Sequence, residues 1–454
     1  MAVFDILLKG GTVVFPDRVA IADIAVTGER IAAIGRIPRS VARLVLDCTD
    51  RIVTPGLIDP HTHIHWPFVD DTTRDDFETG SRAALFGGTT TIIDFAVQRS
   101  EGALVAIEQR LLEMEGHLWC DAGLTVAITH PEHHAEREWP EIARQVLAFK
   151  AYMIYKHRGI MLTDDALWRT MMIARDTGKV LTIHAENHDL HQMFVAKVRQ
   201  AFSNEPQFWA LTKPAIIEEE AMQRAMVLAR HIGIPVYFRH VSSAQGLRAA
   251  AKAQERGELV YVETCPHYLV LDESLYQRTD GSLWITSPPL RREEDREALW
   301  DGVWKGVVTT VGSDHCAFDQ TQKLGRPFDS VPNGIPGVET RGSVIWGEAR
   351  QRGWQSSQHL QRLVSVLSTE VARAFGLYPR KGVIIPDADA DLVVWAQEPL
   401  RLKATSLHMP VDWGPYEEHV GFGHAEHVFL RGAGIIRDGI WVGSTPHGKI
   451  LRAP

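Results

Sequence analysis

One regularity constrains the fold of this 454-residue chain more than any other. From about residue 58 to about residue 312, strand-type runs alternate with helical ones. Strand-type runs centre near residues 58, 90, 123, 150, 181, 236, 260 and 308, which makes eight. Helical spacing covers Asp76–Leu85, closed by Gly87-Gly88, then Ala103–Met114, Glu141–Ala148, Asp164–Thr177 behind Thr163 as N-cap, Ile217–Ile232, Ala244–Arg256 and Glu293–Lys305. Strand–helix alternation at that count predicts an α/β fold, a (β/α)8 TIM-like barrel, over an open doubly wound sheet. No GxGxxG follows the first strand to support a dinucleotide-binding sheet.

Both flanks carry another rhythm. FDILLKGGTVVFP and AIADIAVTGERIAAIGRI at the start, and GVIIPDADADLVVW and HVFLRGAGIIRDGIWV at the end, are short alternating runs broken by glycine. The two ends are expected to pair. Residues 1–52 plus 378–454 then form a small β-sandwich domain, and 53–377 the barrel domain.

Barrel enzymes place their chemistry at the C-terminal ends of strands. The first strand, from Arg51–Ile58, runs into Asp59-Pro60-His61-Thr62-His63. In extended chain, residues i and i+2 share a face, so His61 and His63 present two imidazoles to one point. Imidazole suits zinc and its neighbours. A single His-x-His is weak, since a buried hydrogen-bonded histidine is the commoner case. Four other strand ends add Lys150 within FKAYMIY, His184 within TIHAEN, His240 within FRHVS, and Asp314 within VGSDH. Five strand ends in register, each with a ligand type or a lysine, are hard to explain otherwise. His315 should point away from such a site. His157, His188, His231 and His267 have no comparable placement.

Lys150 lies in an apolar run. A lone buried ammonium is costly and can escape by a lowered pKa. A neutral amine can add carbon dioxide, becoming a carbamate long enough to bridge two metals. Snorkelling to the barrel mouth, or pairing with a carboxylate, explains the lysine equally well. Asp314 could bind metal, accept a proton, or form an ordinary salt bridge.

A net charge of −9 and no long Lys/Arg run argue against a nucleic-acid partner. No apolar segment approaches membrane-spanning length, and MAVFDILLKGG has no signal-peptide pattern, so no membrane partner is expected. Four scattered cysteines, Cys48, Cys120, Cys265 and Cys316, make no CxxC and suit a reducing, cytoplasmic setting.

In this order, DPHTHIHWP, FKAYMIYK, IHAEN, RHVSSAQG, ETCPHYL, SPPLR, GSDHCAF and PNGIPGVETR resemble the cyclic amidohydrolases, most nearly the hydantoinase/dihydropyrimidinase branch. The similarity runs from about residue 5 to 445 and includes HMPVDWGPYEE. The resemblance implies two divalent metal ions, with zinc expected. His61, His63 and Asp314 would hold one, His184 and His240 the other, and Lys150, as N6-carboxylysine, would bridge both. A hydroxide between the metals would attack the ring carbonyl. Asp314 would carry its proton to the leaving nitrogen, and Tyr155 would donate to the oxyanion. Ser287 and Asn333 match positions whose main chain holds the ring amide and imide.

The reaction implied is C–N hydrolysis of hydantoins or 5,6-dihydropyrimidines to N-carbamoyl amino acids. Two alternatives stay open: an allantoinase-type ureide hydrolase, and a non-catalytic assembly protein like the collapsin-response proteins. His65 stands where hydantoinases have aspartate, dihydroorotases arginine and allantoinases asparagine. Loops His65–Thr73 and His157–Asp164 correspond to those shaping the pocket for the exocyclic substituent. Trp66 and Tyr152 imply an aromatic-tolerant pocket, and His157 and Arg158 depart from the apolar residues common there. Relatives are commonly homotetramers, and an exposed apolar segment, Trp413–Tyr416, is expected to suit that.

Overall fold

The computed structural model describes residues 3–68, 71–133 and 136–452. Eight parallel strands follow one another in chain order: Leu57–Asp59, Thr89–Val97, Asp121–Ala127, Ala148–Tyr152, Val180–His184, Val236–Phe238, Val260–Thr264 and Thr310–Val311. A parallel bridge between Thr62 and His315 brings the eighth back to the first, so the expected TIM-like barrel is present and nearly closed. Helices such as Phe77–Phe86, Ala103–Met114, Asp164–Thr177 and Glu293–Lys305 cover the outside. Asp76 caps the first of these by accepting from Thr79 N–H at 2.7 Å.

The chain ends do pair. One nine-stranded sheet runs Ile440–Trp441, Ala433–Arg437, Ala425–Leu430, Leu392–Trp395, Ile52–Pro55, Phe4–Val14, Val19–Thr27, Arg30–Gly35, with Ala42–Asp47 also on Phe4–Val14. It encloses a core of its own that includes Ile6, Val13, Ile24, Ile384, Leu392 and Phe429.

Several expectations shift. The run Arg51–Ile58 is not one strand: Ile52–Pro55 pairs antiparallel with Leu392–Trp395, and Leu57–Asp59 enters the barrel. Gly56 is the pivot, because a Cβ there would stand 2.0 Å from Thr90 Oγ1. Its N–H donates to Asp391 O at 2.8 Å. Thr163 holds the N-cap position without capping, since its hydroxyl donates to Asp165 Oδ1 at 2.5 Å instead. A helix absent from the sequence reading, His188–Ala201, sits between the fifth and sixth strands. Trp413–Tyr416 is not an exposed segment: Trp413 and Tyr416 are buried, and Trp413 Nε1 donates to Phe318 O at 2.8 Å. Aromatic rings in polar loop sequence find cover here within the same chain.

Barrel and end sheet are joined by a buried charge cluster. Lys381 Nζ donates to Asp121 and Asp391, at 2.6 Å each, and lies 3.1 Å from Asp389. Burial works against its charge, and Asp391, Asp121 and Asp389 outweigh that and hold the amine above its ordinary pKa. Arg431 also binds Asp121. Removing one partner of such a group strands the others in a low-dielectric interior. Lys381→Met is therefore expected to cost about 3–5 kcal/mol in urea unfolding. A loss within about 1 kcal/mol, the size of an exposed pair, would contradict this reading.

Candidate metal centre

Strand ends and their anchors build the site. Asp59, closing the first strand, accepts from His61 N–H at 3.2 Å and from Ser313 N–H at 3.0 Å, tying the first strand to the eighth. Asp94 on the second strand accepts from the Thr62 hydroxyl at 2.8 Å and Ile64 N–H at 3.0 Å. Arg110 holds Asp94 in turn at 2.6 Å. The His-Thr-His segment is thus fixed on both sides, and its two imidazoles face inward. Gly312 allows the close packing opposite, since a Cβ there would lie 3.1 Å from His61 Cβ.

His61 Nε2, His63 Nε2 and Asp314 Oδ1 converge. The two nitrogens are 3.1 Å apart, and the carboxylate oxygen lies 3.1 Å from the first and 3.3 Å from the second. Ligand atoms at about 2.1 Å from a tetrahedral zinc stand roughly 3.4 Å from one another. A second pair, His184 Nδ1 and His240 Nε2, is 3.0 Å apart. The two groups adjoin, with 5.5 Å between the His61 and His240 ring centroids. Lys150 Nζ reaches to 3.4 Å from His61 Nε2. All six candidate ligands are buried.

Ring orientation follows from the outer nitrogens. His61 Nδ1 lies 2.7 Å from Glu263 Oε1, and His184 Nε2 lies 2.7 Å from Glu186 Oε2. An N–H directed at each carboxylate leaves the inner nitrogen as a lone-pair donor. Burial pushes all four imidazoles below the ordinary histidine pKa, His184 to about 4, which keeps them neutral. Burial by itself would raise the Asp314 carboxyl. Where the facing rings carry a proton, attraction to His61, the hydrogen bond from His63 and attraction to His240 more than reverse that and hold it well below the usual range. Neutral imidazoles beside an ionised carboxylate form the donor set a divalent ion requires.

Burial, and then Arg239, pushes the Lys150 amine down to about 7. Its Nζ stands over the rings of Phe95 and Tyr152, at 4.3 and 4.6 Å from their centroids. No carboxylate hydrogen-bonds it among the described residues, so neither the snorkelling nor the ion-paired lysine is what the structure presents.

Tyr155, Ser287 and Asn333 line the same pocket, with Trp66, Tyr152 and Arg158. Tyr155 takes a left-handed backbone, φ 71°, as do His240 at 40° and Asp314 at 50°. Positive φ at three bulky residues around one pocket is strain of the kind that functional sites retain. The Tyr155 hydroxyl donates to Ser287 Oγ at 2.6 Å, and Lys213 Nζ donates to the same oxygen at 2.5 Å. His65 stands outside the pocket, exposed, its Nδ1 3.4 Å from Glu113. His315 closes the barrel through its backbone, while its ring meets Asp75 at 2.8 Å and accepts from Gly337 N–H at 2.9 Å. Val69 and Asp70 of the His65–Thr73 loop lie outside the described residues.

Glu263, Glu186, Lys213 and Lys323 were not singled out from sequence. Glu263 is the last residue but one of the seventh strand, so the rule that found the others would have found it. Lys323 Nζ donates to the carbonyls of Ile285, Pro332 and Gly334, at 3.0, 3.0 and 2.6 Å. It thereby ties together the two loops that carry Ser287 and Asn333. Nothing in the surrounding sequence signals that contact.

Residues 52–429 match the model of the amidohydrolase family. The chain is 37% identical over 456 residues to a D-hydantoinase of Geobacillus stearothermophilus, covering 98% of this chain and 96% of that one. It is 33% identical over 461 residues to a dihydropyrimidinase of Rattus norvegicus, covering 98% and 88%. Among solved structures, a dihydropyrimidinase from Brevibacillus agri superposes with a TM-score of 0.94 at 34% identity over 98% of each chain. No helix among the described residues is long and apolar enough to cross a membrane.

Proposed function

The chain belongs to the amidohydrolase family, and from that premise we propose that it opens a cyclic amide or imide, a hydantoin or 5,6-dihydropyrimidine, to an N-carbamoyl amino acid. The observation that carries the reading is the convergence of His61, His63 and Asp314 beside His184, His240 and Lys150 at the mouth of the barrel.

His61, His63 and Asp314 would hold one divalent ion, zinc by expectation, and His184 and His240 a second. Lys150 would span the two as a carbamate, its neutral amine bonding to the carbon of carbon dioxide and releasing a proton. Its short distance to His61 and its lowered pKa support that role. The chemistry such ions supply is Lewis acidity, which brings the pKa of water near neutral and draws electrons from a carbonyl.

The remaining work falls to the chain. Asp314 turns one oxygen to the imidazoles and stands at the pocket wall, where its carboxylate accepts a proton and passes it to the departing ring nitrogen. Tyr155 stays protonated, because burial raises its phenol, and its O–H can turn from Ser287 to an oxygen gaining charge. Main chain at Ser287 and Asn333 would align the ring's alternating N–H and C=O groups. Glu263 fixes the His61 ring, so Glu263→Gln is expected to weaken metal affinity about 10–100-fold, measured by chelator competition.

Residues 1–52 with 378–454 act as one domain and 53–377 as the other. The protein works as a cytoplasmic homotetramer, which its four buried free thiols suit and which sedimentation would test.

The test of function is ring opening by metal-replete protein on dihydrouracil, hydantoin, allantoin and dihydroorotate. Turnover of dihydrouracil or hydantoin is expected. Turnover of allantoin alone would move the chain to a ureide hydrolase.

A further inference from the structure

Lys323 ends a short helix, Gln320–Lys323, and is fully buried behind the wall of the reaction pocket. Its Nζ donates to the main-chain oxygens of Ile285, Pro332 and Gly334, at 3.0, 3.0 and 2.6 Å. No carboxylate pairs with it among the described residues. An ammonium carries one N–H for each of these oxygens, whereas a neutral amine is one short. Burial pushes the amine down to about 7, and carbonyls that accept from the charged form work against that. A buried ammonium with no counter-charge is costly, and methionine would fill the same space without that cost. What only the lysine supplies is a common donor for two loops.

Those loops carry the groups that face the ring. Ile285 lies two residues before Ser287, and Pro332 and Gly334 flank Asn333. Ser287, Asn333 and Gly334 line the pocket, and Lys323 does not. One backbone bond joins the loops directly, from Gly334 N–H to Ile285 O at 3.0 Å. Gly334 also packs close on the far side, where a Cβ would stand 2.5 Å from Cys316 Cβ. A lone bond between two loops can pivot. Bonds from one nitrogen to both of them fix their spacing and their angle. A ring with alternating N–H and C=O groups engages the Ser287 and Asn333 main chains at once, so its affinity follows that spacing. A ring with one N–H and one C=O engages one side and tolerates a change.

We propose that Lys323 is a positioning residue: by holding the Ser287 and Asn333 loops at one spacing, it makes the pocket selective for rings that bond to both main chains over rings that bond to one. The proposal rests on the ring-opening reading for how the ring sits, and binding is measured apart from turnover.

The test is calorimetric binding of uracil and of 2-pyridone to metal-replete, full-length protein. Both are flat rings of similar size whose conjugation resists opening. Uracil presents carbonyls on both sides of an N–H, and 2-pyridone presents a single N–H beside a single carbonyl. Uracil is expected to bind about tenfold tighter to the parent protein. In Lys323→Met that ratio should fall to about threefold or less, while 2-pyridone affinity changes by less than about threefold. Lys323→Gln, which keeps part of the donor set, should fall between. A lysine that only fills the core would weaken both ligands together and leave the ratio where it was. The ratio is internal to each preparation, so partial loss of folded protein does not move it. A parent protein that binds uracil no tighter than 2-pyridone overturns the proposal, as does a ratio unchanged in both variants. Hydantoin turnover, followed alongside, separates the two readings. If no hydantoin is opened and the ratio still falls in the variants, the clamp stands and the ring-opening reading falls. If hydantoin is opened and the ratio does not move, the clamp falls and the ring-opening reading stands.

Discussion

Replacing Lys150 with alanine is expected to remove bound metal and ring-opening activity together. The amine sits at the barrel mouth, 3.4 Å from His61 Nε2, in a place where burial has lowered its pKa to about 7. A protonated lysine at that spot would repel a divalent ion, and a neutral amine offers one ligand atom. A carbamate offers two oxygens and a negative charge, enough to span both ligand groups. The expected fall in kcat/KM is at least about four decades, or about 5.5 kcal/mol of transition-state stabilisation. Lys150→Met separates this from packing, because methionine nearly restores the lysine volume. Lys150→Met is expected to be as inactive and as metal-poor as the alanine variant. A methionine variant that keeps metal and rate would make Lys150 a core residue and nothing more.

Asp314→Asn should dissociate the two properties that Lys150→Ala loses together. Asparagine keeps one oxygen that can face His61 and His63, so metal content should stay near that of the parent protein. It cannot accept a proton at neutral pH. General-base groups contribute about 10²–10⁴ in rate, and a loss in that range, carried in kcat, is expected. Metal analysis and steady-state kinetics on one preparation would check it. An unchanged rate would remove Asp314 as the proton carrier.

Much of this architecture was legible because period and position carry it. The helices Ala103–Met114, Asp164–Thr177 and Glu293–Lys305 and the strand Val180–His184 run where their spacing puts them. The three helices each bury a spaced apolar set, and the strand is buried along its whole length. Local pattern failed where a distant residue decides. The break at Gly56 depends on Thr90 and Asp391, and the burial of Trp413 on Phe318. The candidate ligands were readable because they stand at strand ends, which a barrel gathers at one mouth. Their anchors were harder to read. Glu263 meets His61 across 202 positions of sequence, and Lys323 reaches three carbonyls that no side-chain pattern announces.

This site is proposed to open a cyclic amide with the help of divalent metal. Stripping the protein with a chelator and titrating zinc back, with dihydrouracil and hydantoin turnover followed at each step, tests it most directly. No turnover is expected in the stripped protein, and a rise that levels off at two ions per chain. Turnover that survives complete removal of metal, or fully loaded protein that opens neither ring, would contradict it.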